Sequence, residues 1–172
     1  MNTAEQQWRT LHGMRVDDIL VTIKKLVEEG FAVHIGTDAQ KATRHTNFVV
    51  VACLLSPLRR GHRVFYTSFR QGRMSIQQKL FQEAWLSTEF ALKLCEVGSV
   101  ESHERIHVHI DVNPKAIHKS SQYLQQLAGL VAGQGFPVLY KPDAWAASRA
   151  ADHAVKGKHW KSLEGRNQTP EA

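Results

Sequence analysis

Apolar residues recur along this chain with two periods, and the switches between them mark its elements. From Val16 to Glu29, Ile19, Leu20, Ile23, Leu26 and Val27 fall at helical spacing, and Gly30 suits the stop. Val33 to Asp38 alternates as a strand, Asn47 to Leu55 is a continuous apolar run that suits a buried strand, and Arg63 to Phe69 alternates again. A long helix follows from about Ser75, a plausible N-cap, to Glu96. Ile106 to Asp111 alternates as a fourth strand, Ser120 to Ala132 reads as a helix, and Phe136 to Tyr140 as a fifth strand. Pro142-Asp143 opens a last helix through about Val155. Residues 1–15 are polar, with Trp8 their only large aromatic, and are expected to be irregular; 156–172 read as a polar basic tail.

Short links join the first three strands, which should therefore be antiparallel, and helical crossovers join the last two, which should run parallel. The expectation is an α/β fold: a mixed five-stranded sheet flanked by helices, with an extra N-terminal helix, in one domain over 16–155.

Two of these strands end in an aspartate, Val33-His34-Ile35-Gly36-Thr37-Asp38 and Ile106-His107-Val108-His109-Ile110-Asp111. Side chains change face at every strand residue, so each aspartate lies opposite the apolar set. If the strands are neighbours, both carboxylates leave equivalent ends of one polar track, and only protons or cations can neutralise them there. On the long helix, 100° per residue puts Glu83 on the buried arc with Leu80, Ser87, Phe90 and Leu94, and extends the apolar side through Phe81, Trp85, Thr88 and Leu92. Glu89 falls on the solvated arc. A buried carboxylate needs a partner: a metal shared with Asp38 and Asp111, or a buried lysine or arginine. Asp143 is explained by an N-cap role. Asp152 rides beside the small residues Ala144, Ala147, Ser148 and Ala151, which let the last helix approach the sheet; a plain surface aspartate would look the same.

The element order, Ile35-Gly-Thr-Asp-Ala-Gln40, His109-Ile-Asp111 and Lys141-Pro-Asp-Ala-Trp-Ala-Ala-Ser148-Arg-Ala-Ala-Asp152 resemble the ribonuclease H-like family of the YkuK type. The likeness spans about Val16 to Val155. It implies that Asp38, Glu83 (or Glu89), Asp111 and Asp152 bind two Mg²⁺ or Mn²⁺ ions and hydrolyse the phosphodiester bonds of RNA or DNA, with Lys141 as a possible phosphate contact. The alternative is a nucleic-acid or protein-binding module that keeps the fold without turnover. A second rival is a zinc site on His34, His107 and His109, since a His-x-His pair on a strand can ligate Zn²⁺.

Bulk properties narrow this further. A net charge of +6 suits a polyanionic partner, although the basic residues (Arg59-Arg60, Arg70 with Arg73, Lys156 to Lys161) form no uninterrupted block. No apolar run reaches the ~20 residues of a membrane span. Cys53 and Cys95 sit within apolar runs as expected of buried thiols in a reducing compartment, and the cytoplasm is the expected location.

Overall fold

Among the described residues seven strands, not five, make up the sheet, in the order β2-β1-β5-β4-β3-β6-β7. The computed structural model describes residues 2–58, 61–98, 100 and 103–150, without the side chains of 147 and 148. Two of the seven come from the segment expected to be irregular. β1 (Trp8–Thr10) pairs antiparallel with β2 (Arg15–Val16) and with the outer edge of β5 (Arg63–Gly72). Three-residue strands carry no readable period, but Trp8 is the anchor. It is 1% exposed, stacks on Phe90 at 4.6 Å, and donates its indole N–H to the Thr3 carbonyl at 3.0 Å.

The centre follows the expected pattern. β3 (Ala32–Lys41) and β4 (His45–Leu55) form a hairpin closed by the Ala42 N–H on His45 O at 2.8 Å, and β4 pairs antiparallel with β5. β6 (Ile106–His109) lies parallel to β3 and to the short β7 (Val138–Leu139). β7 is shorter than expected because Pro137 has no N–H to give the ladder; its carbonyl still accepts from Val108 at 2.9 Å. α1 (Ile19–Glu28) begins at Ile19 rather than Val16, because the Asp18 side chain caps it by accepting from Val21 N–H. α2 (Ile76–Glu96) opens on a capping box between Ser75 and Gln78. α3 (Leu124–Ala132) is shorter than the expected helix, its first turn being 3₁₀ over Ser121–Tyr123. Of the last helix, the described part is a π-helical turn over Ala146–Ala150; the rest of the predicted helix lies outside the described residues.

Strand alternation divides the core in two. Val33, Ile35, Phe48, Val50, Ala52, Ile106, Val108, Ile110 and Val112 pack with α1, α2 and α3 in the main cluster. Val49, Val51 and Cys53 face the other way, against Ala146 and Trp145. Among the described residues no helix is long and apolar enough to cross a membrane.

Because Trp8 fixes β1 to both the sheet and α2, Trp8→Ala should cost about 3–5 kcal/mol, the usual range for truncating a buried tryptophan. Urea denaturation checks this; a loss below about 1 kcal/mol would mean the first strands add nothing to the core.

Candidate metal and nucleic-acid site

β3 and β5 are both antiparallel to β4, and β6 is parallel to β3, so the carboxyl ends of all three reach one edge of the sheet. Asp38 and Asp111 each stand two residues beyond the last paired residues of β3 and β6, Gly36 and His109. The alternation holds to that point: Thr37, Ala39, Ile110 and Val112 are buried, whereas Asp38 and Asp111 remain partly exposed. α2 starts four residues after β5 ends and crosses back over β3. Its approach is fixed by a buried 2.7 Å hydrogen bond between the Thr37 and Ser87 hydroxyls. One turn earlier, Glu83 comes within electrostatic reach of the two aspartates.

Glu83 is 4% exposed. Burial pushes its carboxyl up to about 7, and the negative fields of Asp38 and Asp111 add to that push. The Lys79 ammonium opposes it from 2.7 Å, while also donating to the Ala39 carbonyl at 3.2 Å. Lys79 was not singled out by the sequence pattern, although its i,i+4 spacing to Glu83 is the signal for such a pair. Asp111 has a matching counter-charge: the Lys141 ammonium lies 2.7 Å from Oδ1. That oxygen is shielded from water and makes no aligned hydrogen bond, so the contact is Coulombic.

The other expected residues separate clearly. Glu89 is not simply solvated: it accepts from the Thr3 hydroxyl at 2.5 Å and so ties the start of the chain to α2. Asp143 is exposed in the turn before the last helix, with its backbone N–H on the Tyr140 carbonyl. Asp152 lies outside the described residues.

Asp38, Glu83 and Asp111 supply only hard oxygen, and Asp111 Oδ1 accepts no hydrogen bond, so the set fits Mg²⁺ or Mn²⁺ chemically once Lys141 gives way. As placed, the two lysines provide the neutralising charge, and among the described residues no three His, Cys, Asp or Glu side chains converge closely enough to hold an ion.

The histidines lie further back along the strand face that carries Asp38 and Asp111, opposite the main core. His109 Nδ1 accepts from the Ala146 N–H at 3.4 Å, so its Nε2 carries the proton and donates to His34 Nδ1 at 3.0 Å. His107 stacks on His34 at 4.6 Å, and Trp145 lies 5.1 Å from both His34 and His109. His34 and His109 are thus bonded to each other and to the start of the last helix, and His107 joins them by stacking.

Residues 15–156 match the profile of the Ribonuclease H-like family. RNase H1 from the halophilic archaeon Halobacterium salinarum NRC-1 is similar at 16% identity and a TM-score of 0.41, over 72% of this chain and 97% of that one. The N-terminal RNase H domain of Rv2228c from Mycobacterium tuberculosis, solved as a maltose-binding-protein fusion, aligns at 16% identity and a TM-score of 0.39, over 70% and 95%. No curated protein matches.

Two pH effects of opposite sign follow. The raised Glu83 group stabilises the fold below pH 4.5 and loses that contribution as pH rises through 7. Glu83→Gln should therefore gain about 1–3 kcal/mol at pH 8, shrinking to nothing near pH 4.5; denaturation at the two pH values checks it, and a loss at pH 8 would contradict it. Burial lowers His34 to about 4, with His107 adding, and lowers His109 to about 3, with His34 and His107 adding. Their contribution is complete above pH 6.5 and drains as pH falls toward 4. In the Glu83→Gln variant, acidification from pH 7 to 5 should cost about 2 kcal/mol after allowance for partial solvent screening, and adding His34→Gln and His109→Gln should flatten the profile.

Proposed function

We propose, on the premise that this chain belongs to the ribonuclease H-like family, that it is a divalent-metal-dependent nuclease of the YkuK type hydrolysing phosphodiester bonds of RNA or DNA. The observation that carries this is Glu83, a carboxyl buried beside Asp38 and Asp111 at the carboxyl edge of the parallel strands. Burying Glu83 costs desolvation and adds repulsion from Asp38 and Asp111, which the Lys79 ammonium only partly offsets. Acids kept together at that cost are what cation-dependent phosphodiester chemistry requires.

Asp38, Glu83 and Asp111, joined by Asp152 as the family resemblance implies, would hold two Mg²⁺ or Mn²⁺ ions. When bound, such ions lower the pKa of an attacking water and stabilise the charge on the leaving oxygen. Glu83, drawn into the interior, orients its carboxylate through Lys79 and excludes bulk water from that side. Asp38 and Asp111, partly exposed, face the side from which a polyanion can arrive. Lys141 is long enough, and open enough at 38% side-chain exposure, to leave Asp111 and meet a phosphate oxygen.

One observation favours a second reading, a nucleic-acid-binding module without turnover: Lys79 and Lys141 already neutralise Glu83 and Asp111. The two part on a single assay. Labelled single strands, duplexes and hybrids are incubated with Mg²⁺, Mn²⁺ or chelator. The nuclease cleaves at least one of them, chelator abolishes cleavage, and Asp38→Asn and Asp111→Asn lower the rate by 10²-fold or more while leaving binding in place. Retained binding with no metal-dependent cleavage by wild type would establish the module instead.

A further inference from the structure

A cleft of about 530 Å³ lies along the outer flank of α2, lined chiefly by Arg73, Met74, Gln78, Phe81, Gln82 and Trp85. Three features set it apart. Its only charged lining residue is Arg73, and none is acidic, so its charge suits a polyanion. A second cleft, about 500 Å³, carries Glu5, Asp17 and Asp18 beside Arg15 and Lys93. Trp85 is 45% exposed in the middle of a helix that buries most of its other large apolar groups. The cleft also begins at the end of β5, the sheet edge that carries Asp38 and Asp111, and Gln82 adjoins Glu83 in sequence.

We propose that this cleft holds one unpaired nucleotide of the strand presented to the acidic site, its base stacked on Trp85, its edge within reach of Gln78 and Gln82, and its phosphate against Arg73. The inference rests on the nuclease reading and adds a substrate class: nucleic acid with a single-stranded end or gap, in preference to a blunt duplex, whose stacked bases cannot lie on an indole. An aromatic platform with an arginine beside it and amides at the base edge is the usual chemistry of single-strand binding.

Fluorescence anisotropy in chelator, where cleavage is suppressed, tests it on the full chain with three labelled probes: a twelve-nucleotide single strand, a blunt hybrid duplex, and the same duplex with a five-nucleotide overhang. Loss of one stacked base weakens binding roughly five- to a hundredfold. Trp85→Ala should therefore bind the single strand and the overhang probe at least fivefold more weakly and the blunt duplex within twofold of wild type. Trp85→Phe should restore most of the loss, and Arg73→Gln should lower the salt slope by about one. Trp85 is exposed, so these variants should keep the wild-type circular dichroism. If Trp85→Ala binds the overhang probe like wild type, the cleft is not a nucleotide site, and the nuclease reading stands. If instead Trp85→Ala only lowers the sedimentation coefficient, the cleft covers a second copy and the inference is overturned. If wild type binds none of the probes, the nuclease reading fails first and carries this one with it.

Discussion

The parallel pairing of β3 with β6 is the constraint from which the site follows. With Gly36 opposite His109, the strand period places Asp38 and Asp111 at matching positions on one edge. A slip by one residue would turn either aspartate into the core and its apolar neighbours out, at the cost of Ile35, Thr37, Val108 and Ile110 together. Hydrophobic burial therefore enforces a juxtaposition that electrostatics resists. α2 adds a third carboxyl to this arrangement, because the Thr37–Ser87 hydrogen bond sets its height over the strand and Glu83 lies one turn away. Lys79 and Lys141 then limit the repulsion, each 2.7 Å from a carboxylate oxygen.

The sheet serves two purposes through its two faces. One face builds the main core with three helices. The opposite face carries Val49, Val51 and Cys53, and beside them the histidines whose hydrogen-bonded chain reaches the backbone of Ala146. Neutral imidazoles at such positions act as polar struts: they satisfy one another and a helix N–H where an apolar side chain would leave that N–H unpaired. Burial holds them neutral, and neutrality preserves the donor and acceptor roles on which the docking depends.

Much of this was legible in the sequence because two-residue and 3.6-residue periods report faces directly. Alternation identified the aspartate-bearing strands, and helical angle put Glu83 inside and Glu89 elsewhere. Angle alone misjudged Trp85: it assigned the indole to the apolar side, but a helix face becomes core only where a neighbour covers it, and Trp85 is 45% exposed. β1 and β2 escaped notice because strands of three and two residues have no period, and Trp8 is buried through tertiary contacts with Phe90 and the Thr3 carbonyl. The histidines looked like ligands because spacing shows that they share a face; it does not show that they bond one another.

Membership of the ribonuclease H-like family and the buried acidic edge together make cation binding the central question. The most direct measurement is a crystal structure grown with Mn²⁺, using its anomalous signal. A cation site at this edge requires anomalous peaks bounded by Asp38, Glu83 and Asp111, with the Lys79 and Lys141 ammonium groups moved off their carboxylates. Full-strength data with no peak there, and both lysines still in place, would contradict it.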